Sequence, residues 1–373
     1  MREPIRILQV VSHMDRAGTE TMLMNLYRNI DREIIQFDFM MDNKNEADYD
    51  NEILALGGKV YYVPKFKIYN YFSYKKAWNE FFKDHKEHKI IHGHIGSAAA
   101  IYLKMAKKEG IYTIAHSHNN NYNKNLRGFV LSLVVKPTKY IADYFFGCSY
   151  EAGLIRYGKK VVNSNKFKVL NNSIETNKYN YDEINREKIR TEFNIKSTDL
   201  VVGNVARFHV QKNHKFLIEI FEEIVKQNKN AKLLLVGVGD LQASIKNMVV
   251  NKGLEKNVIF AGLRSDIPNL LSAMDVFLLP SLYEGLGIVL IEAQANGLQC
   301  IASDTVAKEA DVTERIKFIS LDTSAKKWSD VVLANIDRYS NGAEKVKEKG
   351  FEIGKIAKEM QSFYVDAYKK WCN

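Results

Sequence analysis

The stretch DVFLLPSLYEGLGIVLIEAQANGLQCIASD, residues 275–304, decides the fold. Residues 275–281 form a short apolar run with Pro280 near its end. A glycine-rich turn follows, then a helical pattern over 287–296, then a second apolar run over 298–304. Continuous apolar strands joined by a helix predict a parallel sheet covered on both faces. The same stretch carries two carboxylates, Glu284 and Glu292, in otherwise apolar or small surroundings. Buried carboxylates are costly unless something satisfies them. These two therefore bind a ligand or are paired structurally.

Working outward, the same alternation fills the chain. Residues 5–12, 36–41, 59–63, 89–94, 111–118, 144–149 and 167–172 read as strands, with amphipathic segments such as 20–29 and 97–108 between them. The pattern restarts with strands at 199–208, 231–240 and 257–262, and a helix over 215–227. Residues 171–198 are polar and weakly periodic, which marks them as the junction. The expected organisation is α/β, with two Rossmann-like doubly wound domains at 1–171 and 172–351 facing across a cleft. The helical stretch 352–373 is expected to return to the first domain. In such folds ligands sit at the carboxyl ends of the strands.

Composition narrows the partners. The 373 residues are 46% hydrophobic and 26% charged, ordinary for a globular protein. No apolar run is long enough for a membrane span, and the start lacks the pattern of a signal peptide. Cys148, Cys300 and Cys372 are far apart, without metal-ligand spacing. A cytoplasmic protein with reduced thiols is expected. The net charge of +10, from 54 Lys and Arg against 44 Asp and Glu, favours anionic partners. Neither zinc-finger spacing nor an aromatic RNA-binding signature is present, so nucleic acid is not expected and phosphates or an anionic membrane surface are.

Three strand-to-helix turns are candidate phosphate sites, because free backbone amides there favour anions. The first is RAGTE (16–20), where Gly18 permits close backbone approach. The second is ARFHVQKNH (206–214), which holds Arg207 and Lys212 as fixed cations for a diphosphate. The third is the opening stretch, where Gly285, Leu286 and Gly287 lead into a helix that carries Glu292. A carboxylate there can accept from a vicinal diol, as ribose-binding acids do. Equally, each acid can be an ordinary helix-start or helix-face residue.

Other features have plainer readings. His92 and His94, and His116 and His118, form two H-x-H pairs at strand ends, each on one sheet face. Zinc needs a third ligand and an orienting second shell, and His13 is the evident candidate in sequence, so no metal is expected. DYD (48–50) reads as the acidic start of a helix. Gly237 and Gly239 lack the third glycine of a dinucleotide fingerprint. The lysine- and aromatic-rich segment 65–89, with 126–135, is either a solvated helix with an aromatic core face or a membrane-surface element.

Taken in order, these motifs resemble the family-4 retaining glycosyltransferases of the GT-B fold, among them bacterial capsule and exopolysaccharide enzymes. The motifs are RAGTE, LNNSIETNKY (170–179), GNVARFHVQKNH (203–214), VGVGDL (236–241), VIFAGLRSDIPNLLSAMDVFLLPS (258–281) and EGLGIVLIEAQANGLQCIASD (284–304). The chain departs from the pattern at Ala17, Ser173 and Glu175, where the family has Gly, Gly and Asp. The resemblance implies transfer of a hexosyl unit from a nucleotide sugar, with retention and without metal or other cofactor. The donor it implies is UDP-glucose, UDP-galactose or an N-acetyl form, and the acceptor a saccharide, lipid-linked. It assigns Arg207 and Lys212 to the diphosphate, Glu284 to the donor sugar, and Glu292 to the ribose. Gly18 and Gly285–Gly287 approach the phosphates, Leu263 and Arg264 flank the base, and His118, with His116 as the alternative, touches the sugar. A GT-B epimerase or phosphorylase, and a non-catalytic partner subunit, are the competing readings. Oligomeric state is left open.

Overall fold

The computed structural model describes residues 3–16, 18–118 and 137–372. Ala17 and the segment 126–135, both singled out above, lie outside the described residues. Internal packing divides the chain into two units, Met1–Ser173 with Ile353–Asn373, and Ile174–Glu352.

The first unit holds seven strands: β1 (Ile5–Val10), β2 (Ile35–Met41), β3 (Val60–Tyr62), β4 (Ile90–Gly93), β5 (Tyr112–Ser117), β6 (Tyr144–Gly147) and β7 (Phe167–Val169). They form one parallel sheet in the order β3-β2-β1-β4-β5-β6-β7. Alternate residues of β1 feed two separate cores: Ile7 packs with Phe37 and Tyr27, while Leu8 and Val10 pack with Trp78 and Tyr102. That is why the strand reads as continuously apolar. The terminal helix Ile353–Cys372 packs in this unit, placing Ile353, Ala357, Met360, Tyr364 and Ala367 in the Ile7 core. Their spacing of three and four residues is the apolar stripe of an amphipathic helix.

The second unit holds β8 (Val201–Val205), β9 (Lys232–Val236), β10 (Val258–Gly262), β11 (Val276–Leu279), β12 (Gln299–Ser303) and β13 (Ile316–Ile319). Their order is β10-β9-β8-β11-β12-β13, again all parallel. Val201 and Phe277 face one core, and Val202 and Leu278 the other. Both sheets thus reverse their winding next to their first strand, between β1 and β4 and between β8 and β11. Ligands of open α/β sheets bind at such switch points.

Two elements differ from the sequence expectation. The polar junction contains a helix, Glu183–Glu192. Asp182 caps it by accepting from the Asn185 amide at 2.9 Å. Arg186 and Arg190 anchor it to Asp275, at 2.6 and 2.8 Å, instead of a wide apolar stripe. The strand β13 was also not expected; it is a four-residue edge strand following Glu314, which adopts φ of 61°.

Candidate active site

In the second unit the chain leaves β8 and β11 side by side. From β8 it passes through the turn Val210–Lys212 into the helix His214–Gln227. From β11 it passes through Pro280–Gly287 into the helix Ile288–Ala295. Hydrogen bonds lace these loops together. The Leu282 amide donates to the Gln211 carbonyl at 2.8 Å, and Gln211 Nε2 donates to the Tyr283 carbonyl at 2.9 Å. Asn213, in the left-handed region at φ 53°, donates to the Pro280 carbonyl at 3.1 Å. Lys212 Nζ meets Glu284 Oε1 at 2.6 Å.

Glu284 therefore has a structural answer in the free protein. Its carboxylate is buried and accepts from Lys212, from Ser281 Oγ at 2.7 Å, and weakly from Gln211 at 3.5 Å. Ser281 is itself fixed, because its carbonyl accepts from Ser303 Oγ at 2.5 Å and Thr305 Oγ1 at 2.9 Å. Arg207 stands exposed on the β8 loop. Lys212 and Glu284 are thus brought together, at the switch point, with Arg207 on the same loop as Lys212.

Gly287 sits at the start of the helix Ile288–Ala295 with φ of 71°, a left-handed conformation that favours glycine. No side chain caps this helix and no acid occupies its first turn. Gly285 is half-buried and Leu286 buried in the core beneath. Glu292 lies on the same helix, buried, and accepts from Tyr179 Oη at 2.8 Å. Burial pushes its carboxyl up to about 7, against which the Tyr179 hydrogen bond acts. The two glutamates thus occupy different electrostatic settings: one is held by a cation, the other by a phenol.

Gly237 is explained by packing. Its φ is 132°, and a Cβ there would lie 2.3 Å from the Ala206 carbonyl oxygen. It lets the turn after β9 lie against the loop that carries Arg207, a role distinct from a dinucleotide fingerprint. Leu263 is exposed, whereas Arg264 is engaged by Asp266 at 2.8 Å and by Glu192. Those carboxylates hold its guanidinium above its ordinary range.

In the first unit, Gly18 opens the helix Gly18–Asn29 and is exposed. A Cβ there would meet nothing within 4 Å, so packing imposes no need for glycine. Glu20, two residues on, is pushed up to about 7 by burial. The DYD acids do local work: Asp48 accepts from the Arg16 amide at 3.0 Å, and Asp50 opens the helix Asp50–Ala55. His118 follows β5, and its Nε2 lies 2.8 Å from His94 Nδ1. Burial, with Arg156 nearby, lowers it to about 3.

Sequence reasoning missed the residues that hold these groups: Gln211, Ser281, Tyr179 and, in the first unit, Gln9 beside His94 and Tyr364 beside His92. Ser281 alone had a sequence signal, as a polar residue closing an apolar strand three positions before Glu284.

The two doubly wound parallel sheets are those of the GT-B fold. The Anabaena protein HepE, crystallised in complex with UDP-glucose, superposes with a TM-score of 0.78 at 15% identity, over 97% of this chain and 99% of that one. Residues 185–337 match the family model described as glycosyl transferases group 1. Among relatives, a putative glycosyltransferase of Bacillus subtilis, EpsF, is 29% identical over 97% of this chain and 96% of its own. An Escherichia coli enzyme named UDP-Gal:alpha-D-GlcNAc-diphosphoundecaprenol alpha-1,3-galactosyltransferase is 30% identical over 54% of each chain.

Proposed function

We propose that this transferase moves a hexosyl unit from a UDP-hexose to a lipid-linked saccharide, with retention, in capsule or exopolysaccharide assembly. The observation that carries the reading is the Lys212–Glu284 pair at the switch point of the second sheet. The E. coli relative's name supplies the donor and acceptor classes. Negative charge develops on the diphosphate as the C1–O bond breaks, so fixed cations there lower the barrier. Arg207 and Lys212 fill that role, aided by the amides of Gly285, Leu286 and Gly287. Glu284 accepts from the donor-sugar hydroxyls and keeps Lys212 in place. Glu292 ionises on binding and accepts from the ribose hydroxyls. Leu263 and Arg264 border the base. In the other unit, Gly18 serves the phosphate and His118 a sugar hydroxyl. The acceptor oxygen bonds to C1 on the face that the diphosphate leaves, and the acceptor proton passes to a leaving phosphate oxygen. This chemistry draws on no metal. Turnover of several UDP-sugars, with and without acceptor, tests the reading through Glu284→Ala and Lys212→Ala. Full activity in both variants would overturn it.

The same reading places the chain at a cytoplasmic membrane surface. Among the described residues no helix is long and apolar enough to cross a membrane. The turn Ile68–Asn70 and the helix Tyr71–Asp84 bury Tyr74, Trp78, Phe81 and Phe82. They leave Ile68, Tyr69 and Phe72 exposed at 68%, 81% and 85%. Lys65, Lys67 and Lys76 are exposed beside them, a composition suited to an anionic lipid interface.

A further inference from the structure

We propose that His92, His94 and His116 form a binding site for a borderline divalent transition-metal ion, Zn²⁺ or Co²⁺. In sequence the two H-x-H pairs lacked a third ligand and an orienting second shell. The fold supplies both. β4 and β5 pair in parallel, with His92 opposite Ile114 and Gly93 opposite Ala115, so the register continues to His94 opposite His116. Side chains two apart share a sheet face, which puts all three rings on one side. One ring nitrogen from each lies within 4.8 Å of the others.

Hydrogen bonds already engage one nitrogen of His94 and one of His92, and they fix the tautomer of His94. Gln9 Oε1 lies 2.9 Å from His94 Nε2, so that nitrogen carries the proton and Nδ1 keeps its lone pair. Tyr364 Oη lies 2.7 Å from His92 Nδ1, which leaves Nε2 facing away from that partner. Metal-ligating histidines are held in this manner, with the second ring nitrogen engaged by a protein group. His92 Nε2 and both nitrogens of His116 are buried with no hydrogen-bond partner among the described residues. Buried polar atoms in that state need an explanation, and a bound ion is one. In the free protein His118 Nε2 donates to the His94 Nδ1 lone pair, the position the ion would take.

An all-imidazole set selects zinc, cobalt, nickel or copper over magnesium or calcium. Three histidines leave a fourth position for water or His118. All three histidines belong to the first unit. The ion takes the His94 Nδ1 lone pair, so it displaces His118 from its partner.

The test uses untagged full-length protein stripped of metal, then dialysed against Zn²⁺ or Co²⁺. Expected are one equivalent of zinc by elemental analysis and a visible Co²⁺ ligand-field spectrum, neither competed by Mg²⁺. His92→Gln and His116→Gln should each abolish stoichiometric uptake. Tyr364→Phe keeps the buried ring but loses the hydroxyl, and should weaken binding by roughly ten- to a hundredfold. Circular dichroism confirms that each variant is folded; should a histidine variant unfold, the Tyr364→Phe affinity decides. Absence of stoichiometric uptake, or wild-type affinity in Tyr364→Phe, overturns the proposal.

Discussion

Replacing Glu292 by glutamine removes a carboxyl whose burial holds it partly protonated near neutral pH, and the consequences follow from linkage. In the folded chain this group ionises at about 7, against an ordinary 4.5. A raised carboxyl binds its proton more tightly in the folded state than in the unfolded one. Its stabilising effect is therefore complete below pH 4.5 and is lost as pH rises through about 7. At about 1.4 kcal/mol per pH unit between those values, ionising Glu292 costs the fold about 3 kcal/mol. Glutamine can still accept from Tyr179 Oη and carries no charge, so Glu292→Gln lacks that slope. Urea unfolding of both proteins from about pH 5 to about pH 9 measures the difference, in which Glu20 and the histidines cancel. The variant should gain about 3 kcal/mol relative to wild type across that range. The same substitution should weaken UDP binding by roughly ten- to a hundredfold at alkaline pH, the value of a hydrogen bond to a charged acceptor. A stability difference independent of pH would refute the reasoning, because it would mean that Glu292 is ionised throughout.

Three further outcomes are expected. Lys212→Met leaves the buried Glu284 carboxylate with Ser281 and Gln211 alone; it should cost about 3 kcal/mol in denaturant unfolding and abolish turnover. Gly287→Ala forces a Cβ into the left-handed region and should cost about 1–2 kcal/mol, with donor affinity falling as the helix start distorts. Tyr69→Ser with Phe72→Ser should reduce co-sedimentation with anionic vesicles while leaving thermal stability close to wild type, since both side chains are exposed.

The fold was legible because its strands are buried on both faces. β8, β9, β11 and β12 fall inside the apolar runs read from sequence, and the terminal helix follows its stripe from Ile353 to Ala367. The helix Glu183–Glu192 was not legible, since arginine–aspartate pairs to Asp275 hold it and no periodicity records a partner so distant in sequence. The site divides the same way. Lys212 and Glu284 could be named from local motifs, but their direct pairing could not, because it depends on β8 and β11 being neighbours. The pH behaviour of Glu292 was also hidden, for it follows from burial by the surrounding core, which the Tyr179 hydrogen bond opposes. The histidines show the limit most clearly. Their spacing was visible, whereas Gln9 and Tyr364, which orient them, come from opposite ends of the chain.

The central claim is retaining transfer from a UDP-hexose, with the diphosphate held by Arg207 and Lys212. Its most direct measurement is the anomeric configuration of the product formed from an α-linked UDP-hexose and a lipid-linked saccharide, read by proton NMR. The account predicts an α-linked product whose formation is abolished by Lys212→Ala. A β-linked product, or undiminished transfer by that variant, would contradict it.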